Sequence, residues 1–544
     1  MAQYRHPGIY IEEIPSARTI QGASTSVAAF VGYTETGPTN QPTLITSWNA
    51  FQRQFGNTVW YGFTTWAVFE FFNEGGTACY VVRPPDTGSG KAAAATLGTI
   101  KLAAASPGKW GNSLMAYVGN AVGAPNATPA PPQTPVFTLL VVADATTIDA
   151  AAGKATDVAT QLLIAFIRAN GIGKTTLGTK PYYVLETFGG LTEASLNNGV
   201  FLTRINTSSM FIRVTAPAAG ATTKFTRPAN TPTPSAFSGG AAPAYNYTDS
   251  VNTLQKVQGV SLLALPDTPA ITDSAGKSDL STQGAVINQA MLFCEKMGSL
   301  FYVTDPPYGL GVQDIQSFTA GSDANTMALN SSYSAIYYPW LWMFNPVANM
   351  KVPIPPSGPI LGRYAYTDLN VGVYKSPAGV NDGALRTVVA VNDALTDADQ
   401  DQLNPYGINV VRNLINYGNV IWGARTLSQD TSWTYVCVRR LFIYVEQSLK
   451  NSLLWVVFES NDQRLWAAVS RDISAFLTDL WAQGGLFGAT ASDAFFVTCD
   501  ESNNPPETRA LGQLFIDIGL APVYPAEFVV IRITQKTAGP DAGS

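Results

Sequence analysis

The alternation of apolar and polar residues divides the start of the chain into strands and helices. Residues 8–14 (GIYIEEI), bounded by proline on both sides, predict a short strand, and residues 24–38 predict a buried strand that runs into a Gly-Pro turn. Ser47 is the N-cap candidate of a short helix that Gly56 ends, and a second helix is predicted over residues 64–76. Strands and helices that alternate in this order indicate an α/β layer.

The same order of elements returns in the second half of the chain. Residues 258–304 predict a strand, a helix and a strand, and residues 333–344 (YSAIYYPWLWMF) predict one further strand. Alternating aromatic residues within a strand are typical of core packing, so we interpret Trp340 and Trp342 as core residues and not as a stacking platform for a ligand.

Two amphipathic helices and three strand-like runs form the C-terminal third. One apolar stripe extends from Val438 to Leu453, and a second stripe occupies residues 465–480 behind the N-cap candidates Asn461 and Asp462. The strand-like runs are residues 494–500, 511–521 and 527–535. Short strands are therefore predicted close to both ends of the chain.

Composition separates a middle region from the rest. Residues 86–95, 120–134 and 215–244 are rich in Ala, Pro, Thr, Gly and Ser, which favours exposed loops. We predict a multidomain, mixed α/β (α+β) protein whose core is built from N- and C-terminal segments, with an inserted outer domain and extended terminal β-arms. The predicted units are an N-terminal arm (1–20), an α/β domain (21–85 with 251–380), the inserted outer domain (86–250), a C-terminal inner domain (381–525) and a C-terminal arm and tail (526–544).

Charge and hydropathy exclude several classes of partner. Among the 544 residues 46% are apolar and only 13% are charged, the net charge is −6, and no basic block is present, which argues against direct nucleic-acid binding. No run of about 18 apolar residues predicts a membrane-spanning helix, so no membrane insertion is expected. The first 15 residues lack the apolar core of a secretory signal, and we therefore expect synthesis and assembly in the bacterial cytoplasm.

The residues that carry most enzyme chemistry are scarce. The chain has one histidine, His6, and four cysteines that are far apart in sequence and lack a CxxC spacing. We predict buried, reduced thiols, no metal, no cofactor and no catalytic residue. Residues 169–176 (ANGIGKTT) resemble the end of a phosphate loop, but the first glycine is missing and the segment follows a helix, so Lys174 is not assigned to nucleotide binding.

Three segments resemble signature regions of the contractile tail sheath proteins of contractile-tailed phages and phage-tail-like injection systems. The first is residues 6–56, with its PGIYIEE opening and its STSVAAFVG strand, and the second is SPGKWGNSL at residues 106–114. The third begins with PPSGPILGRYAYTDLN at residue 355 and continues through WGARTLS at residues 422–428. Residues 115–250 show no such resemblance.

The resemblance implies a structural subunit of a helical contractile sheath, and not an enzyme. In that family identical subunits surround an inner tube, and terminal arms add strands to neighbouring subunits. The implied partners are further copies of this chain, an inner tube protein, and baseplate and terminator or cap proteins. The predicted inter-subunit arm residues are Ile9, Tyr10, Ile11, Glu12, Phe528, Val529, Val530, Ile531, Arg532 and Ile533. The candidate tube-facing residues are Asp472, Asp479, Trp481 and Phe487.

Two other functions remain open from the residues alone. One is a static shell or baseplate protein, which would use the same neutral surface to form a closed assembly. The other is a nucleotide-binding α/β enzyme that uses Lys174. The metastable sheath differs from both because contraction releases energy stored in subunit contacts and needs no nucleotide.

Overall fold

The computed structural model describes the body of the chain. The described residues are 19–88, 90–120, 136–197, 199–215, 228, 230, 233–322, 327–528 and 530. The predicted arm strand at residues 8–14, with Ile9, Tyr10, Ile11 and Glu12, lies outside the described residues, as do Val529, Ile531, Arg532 and Ile533. Phe528 and Val530 are described.

An eight-stranded sheet, which we call the central sheet, forms the middle of the fold. Its six inner strands are parallel, and one antiparallel strand closes each edge. In spatial order the strands are Gly418–Ile421, Ile408–Leu414, Ser334–Tyr338, Phe301–Thr304, Leu262–Ala264, Ala28–Val31, Cys79–Val82 and Thr43–Ile45. Parallel strands need crossover connections, and these place helices on both faces of the sheet.

Two helix layers cover the central sheet, so the mixed α/β fold class is confirmed. One face packs against Phe63–Asn73 and Ser357–Asn370, together with the short helix Trp48–Phe55. The other face packs against Tyr247–Asn252, Leu280–Met297, Val312–Ala320 and Asp397–Leu403. Ser47 caps Trp48–Phe55 by accepting a hydrogen bond from Ala50 N, and Gly56 ends this helix, both as predicted.

Two glycines allow the helices of the first layer to cross at close range. A Cβ on Gly358 would lie 2.5 Å from Ala67 Cα, and a Cβ on Gly362 would lie 2.8 Å from Phe71 O. These distances are shorter than van der Waals contact, so any larger residue would force the two helices apart. The spacing of four residues in PPSGPILGRY therefore serves a packing function.

Residues between Asp86 and Tyr245, which pair in a β-bridge, form two antiparallel sheets that we call the insert. The larger sheet contains, in spatial order, Ser235–Ala236, Met115–Asn120, Phe137–Asp144, Lys180–Leu191 and Lys174–Leu177, and the smaller sheet contains Ile212–Val214, Ile100–Ala104 and Ala94–Leu97. The helices are Ala145–Ala151, Val158–Ala169, Glu193–Asn197 and Val200–Ser208. Trp60 joins the insert to the body, because its ring lies 5.0 Å from the rings of both Phe166 and Phe211.

Two sequence predictions differ from the observed elements in the middle of the chain. Residues 333–344 form two strands, Ser334–Tyr338 and Leu341–Asn345, because Pro339 cannot donate a backbone hydrogen bond. The second strand belongs to a separate three-stranded sheet with Met350–Ile354 and Val388–Val391. Strands Ile408–Leu414 and Gly418–Ile421 were assigned to a C-terminal domain beginning at residue 381, but they pair with the central sheet.

The remaining residues form what we call the C-terminal module. It contains the helices Val436–Ser452 and Gln463–Ala482, the short helices Ala491–Ala494 and Pro506–Ala510, and the antiparallel strands Phe495–Thr498 and Asp517–Leu520. Both predicted apolar stripes face one shared core, and Asp462 is the N-cap of the second helix. The predicted strand at residues 511–521 is confirmed only for residues 517–520.

Two glutamates that share one hydroxyl partner lie in the interior beside the Gly-mediated helix crossing. Thr387 Oγ1 is within hydrogen-bonding distance of both Glu70 Oε2 and Glu74 Oε1, and Thr387 N also donates to Glu74 Oε1 at 2.7 Å. Because the hydroxyl has one hydrogen, one glutamate must be protonated to satisfy both contacts. Burial raises the pKa of both glutamates, that of Glu70 to about 7. We assign the proton to Glu70, because Glu74 Oε1 also accepts the backbone N–H of Thr387, which favours a charged carboxylate.

The ordinary pKa of a glutamate is 4.5, and that of folded Glu70 is about 7. We expect the free energy of unfolding to fall as the pH rises between these two values, because folded Glu70 keeps a proton that the unfolded chain has released. Glu70→Gln imitates the protonated acid and should remove this part of the pH dependence, which amounts to about 3 kcal/mol at most. Denaturant unfolding at about pH 5 and about pH 8 measures it. Burial also raises the pKa of Glu186 and Asp305 to about 7. These two groups contribute equally to the pH dependence of stability in the wild type and in Glu70→Gln. Equal slopes for wild type and variant would contradict the assignment.

Candidate assembly surface

The first described residues are fixed to the C-terminal module. Ile20 is buried in the core of this module, Gln21 N donates to Ser452 Oγ at 3.1 Å, and Ala23 N donates to Ser448 Oγ at 2.9 Å. Both serines lie in the last two turns of helix Val436–Ser452. The first described residues are therefore held at the end of this helix.

A buried ion pair holds the next residues of the same segment. Arg440 makes two hydrogen bonds to the carboxylate of Asp368 and a third, of 3.0 Å, to the carbonyl oxygen of Thr25. The side chains of Arg440 and Asp368 are 3% and 1% exposed. Since Asp368 belongs to helix Ser357–Asn370, this contact joins the central fold, the C-terminal module and the start of the N-terminal arm.

The last described residues are fixed by a different polar cluster. Glu527 accepts hydrogen bonds from the Arg425 guanidinium, at 2.9 and 2.6 Å, and from Asn404 Nδ2 and Tyr435 Oη, each at 3.1 Å. Burial alone would raise the pKa of Glu527, but these donors outweigh it and hold the pKa below its ordinary value. Directly beyond this cluster the side chain of Phe528 is 72% exposed.

The two strands of the C-terminal module form a sheet with open edges. Ala521 N donates to Ala494 O, so in the antiparallel register Phe496 and Gly519 form a hydrogen-bonded pair and Val497 and Ile518 do not. The backbone N–H and C=O groups of Val497 and Ile518 therefore point outward, to opposite edges. Within the described ranges neither edge is paired with a third strand.

Exposed large apolar side chains are concentrated in the C-terminal part of the chain, which contains this sheet. Of the 23 such residues in the described parts of the chain, ten lie between residues 454 and 530. They are Leu454, Val457, Phe458, Phe487, Phe496, Leu511, Phe515, Tyr524, Phe528 and Val530. Apolar surface of this kind marks sites of protein association.

The four candidate tube-facing residues differ in exposure. Asp479 is exposed and Phe487 is 73% exposed, whereas Trp481 is half-buried and donates its indole N–H to Gly488 O. The Asp472 side chain is only 4% exposed and pairs with Arg471. Asp472 is consequently buried, and its carboxylate forms an ion pair with Arg471 of the same chain.

The residues considered for chemistry have structural roles. Lys174 begins strand Lys174–Leu177, where a phosphate loop would begin a helix, and its ammonium lies 2.5 Å from Asp149. All four cysteines are buried, as predicted. Trp340 and Trp342 are core residues, also as predicted. Within the described ranges no cluster of three metal-binding side chains occurs, and no helix has the length and apolar character needed to cross a bilayer.

The predicted arm strands lie almost entirely outside the described residues and remain predictions. The sequence predicted both strands of the open sheet, within residues 494–500 and 511–521, but not their pairing or their open edges. One feature of the sequence could have indicated the polar cluster around Glu527: an acidic residue stands at the start of the apolar run EFVVIRI.

Comparisons with known proteins agree with this architecture. The model described as "Phage tail sheath protein central domain" matches residues 240–427, and the model described as "Phage tail sheath C-terminal domain" matches residues 428–536. Together they cover more than half of the 544-residue chain. The border between them falls where the chain leaves the central sheet and enters the C-terminal module.

Individual relatives are tail sheath proteins. That of Vibrio phage KVP40 is 25% identical over 280 residues, which is 50% of this chain and 40% of the relative. That of Enterobacteria phage T4 is 23% identical over 218 residues, 40% of this chain and 32% of the relative. The matched regions therefore span less than half the length of these two relatives.

Two solved structures share the fold over nearly the whole chain. The contracted sheath complex of the extracellular contractile injection system PVC has a TM-score of 0.56 and 22% identity, and covers 98% of this chain and 99% of that chain. The contracted helical sheath of the anti-feeding prophage has a TM-score of 0.55 and 22% identity, and covers 98% and 100%. With the two matching family models, these likenesses lead to one conclusion: the chain belongs to the contractile tail sheath family.

Proposed function

We propose that this protein is the repeating subunit of a helical contractile sheath around an inner tube, in a phage tail or a phage-tail-like injection particle. The observation that carries the proposal is the open two-stranded sheet of the C-terminal module, together with the fixed positions of Ile20 and Glu527 near the two ends of the described residues. The partners are further copies of this chain, an inner tube protein, and baseplate and cap proteins. Synthesis and assembly take place in the bacterial cytoplasm.

The two arms have the reach to connect subunits. Eighteen residues precede Thr19, and a fully extended chain of this length spans about 60 Å. In the proposed assembly the N-terminal arm, with Ile9, Tyr10, Ile11 and Glu12, adds a strand to one edge of the open sheet of a neighbour. The C-terminal arm, from Phe528 to Ile533, adds a strand to another edge. Each sheet would then have four strands contributed by three chains.

Strand addition would correct two instabilities of the isolated subunit. A two-stranded sheet is at best marginally stable, and unpaired edge groups favour pairing with another chain. Four backbone hydrogen bonds contribute about 2–6 kcal/mol per arm at about 0.5–1.5 kcal/mol each. Two arms hold each subunit in the assembly more strongly than one arm would, because a subunit that is released by one neighbour remains bound to the other.

Contraction would be a rigid-body movement of subunits that stay joined by their arms. The Ile20–Thr25 segment and Glu527 fix where each arm starts, so the rest of each arm can change direction without loss of its strand pairing. Energy stored in the contacts of the extended sheath is released in the contracted one. The two solved relatives compared above are sheaths in contracted states, which supports this mechanism by analogy.

The inner surface is assigned to the end of helix Gln463–Ala482 and the loop that follows. Asp479 and Phe487 are exposed there, and Trp481 braces the loop through Gly488. We exclude Asp472 from this surface, because its side chain is only 4% exposed and its carboxylate is paired with Arg471.

Blocking one edge of the open sheet tests the proposal. Val497→Pro removes a backbone N–H that points outward, so it should leave the pairing with Asp517–Leu520 in place and prevent docking of an arm. We expect tubes in negative-stain micrographs of the wild type and none of the variant. Val497→Ala is the matched control, because it shortens the same side chain and keeps the N–H. Tubes from Val497→Pro, or closed cages from the wild type, would contradict the proposal.

A further inference from the structure

A cavity of about 370 Å³ lies where the central sheet meets the insert. Tyr33 and Asp267, which line it, follow the adjacent parallel strands Ala28–Val31 and Leu262–Ala264. The chain order reverses between these two strands, since Cys79–Val82 lies on the far side of the first and Phe301–Thr304 on the far side of the second. In open α/β sheets such a crevice, at the carboxyl ends of the strands, is the usual position of a ligand.

The structure excludes a phosphate from this position. Helix Phe63–Asn73 starts here, and the carboxylate of Asp267 accepts hydrogen bonds of 2.6 Å each from Phe63 N, Tyr33 N and Thr64 Oγ1. The helix N-terminus, which would attract an anion, is therefore already occupied by a negative charge of the protein itself.

The walls of the cavity are aromatic. Tyr33, Tyr61, Trp110, Tyr245 and Tyr247 contribute to the lining. Tyr247 is only 5% exposed and lines the cavity, and its hydroxyl makes no hydrogen bond to another described residue. Tyr61 has a φ of 60°, a conformation that is uncommon for a residue with a large side chain and that recurs at binding sites. The Tyr247 hydroxyl is not fully enclosed by protein atoms, so a ligand or water in the cavity can pair with it.

The charge of the lining is negative. It contains the carboxylates Asp157, Asp267 and Asp279 and one ammonium group, Lys109, which already donates to Ser274 O. Asp157 Oδ1 accepts from Thr160 N at 2.8 Å, and its second oxygen has no hydrogen-bond donor in the described ranges. Carboxylate oxygens beside aromatic faces suit an organic cation, which gains both an ion pair and cation–π contacts.

We propose that this cavity binds an aliphatic ammonium ion of polyamine size, with one ammonium group at Asp157 and the hydrocarbon chain along the tyrosine rings. Because the lining comes from both the central fold and the insert, the ligand would fix the insert against the body. This binding site is independent of the sheath assembly proposed above.

Calorimetric titration of the full chain with spermidine at low salt tests the proposal. Asp157→Asn keeps the helix cap, because asparagine caps as well as aspartate, and removes the charge. We expect it to weaken spermidine binding about tenfold. Asp144→Asn is the matched control, since Asp144 caps helix Ala145–Ala151 through Thr147 N, also at 2.8 Å, outside the cavity.

Tyr247→Phe keeps the packing of the ring and removes the hydroxyl without a partner, so it should weaken spermidine binding severalfold. No heat of binding with wild-type protein, or equal affinities for Asp157→Asn and Asp144→Asn, would overturn the proposal. Binding of ATP at the affinity of spermidine would also overturn it, because Asp267 should repel a polyphosphate.

Discussion

Removal of residues 1–15 is expected to yield a folded subunit that does not polymerise. Among the described residues the anchoring contacts begin at Ile20 and include the bonds from Gln21 and Ala23 to helix Val436–Ser452, and the truncated chain keeps these contacts. It loses the strand that would pair with a neighbour. Sedimentation and negative-stain imaging should show monomers where the wild type forms tubes, and circular dichroism should show unchanged secondary structure.

A full-length control separates the loss of the strand from the loss of chain length. Ile9 and Ile11 would share one face of the arm strand, and Tyr10 and Glu12 the other. Ile9→Ser/Ile11→Ser should therefore prevent tube formation, while Tyr10→Ser/Glu12→Ser should weaken it less if the isoleucine face packs against the neighbouring sheet. Tubes formed by the truncated chain would refute the arm mechanism.

The predictions that the structure confirms rest on local signals. Ser47, Gly56 and Asp462 were identified from cap chemistry, which acts within one turn of a helix and leaves a clear mark in the sequence. The stripe at residues 465–480 was identified from its 3.6-residue period, and it faces the core. Both kinds of signal depend on nearest neighbours along the chain.

The predictions that differ from the structure concern long-range partners. Residues 408–421 join the central sheet through pairing with Ser334–Tyr338, about 70 residues away in sequence, and the local pattern carries no information about that partner. Asp472 was interpreted as a surface charge because charged residues are seldom buried, yet Arg471 pairs with it. Both strands of the open sheet were predicted but their pairing was not, and the apolar run at residues 511–521 conceals that the second strand starts only at Asp517.

Loss of the ion pair between Arg440 and Asp368 should have the largest effect on stability of any single substitution considered. Asp368→Asn leaves the Arg440 guanidinium buried without a counter-charge, and breaking such a pair costs about 3–5 kcal/mol. Denaturant unfolding, followed by the fluorescence of the tryptophans, measures the loss. Asp397→Asn is the matched control, because Asp397 pairs with Arg412 but its side chain is 90% exposed, and we expect little change.

A double variant distinguishes the cost of an unpaired charge from the value of the pair itself. Asp368→Leu/Arg440→Met removes both charges and keeps the volume, so it should recover most of the stability lost in Asp368→Asn. It also removes the hydrogen bond from Arg440 to Thr25 O, which fixes the start of the N-terminal arm. We therefore expect the double variant to be stable as a subunit and to form tubes less readily than the wild type. Equal tube formation would show that the ion pair serves folding alone, and that Ile20, Ser448 and Ser452 suffice to position the arm.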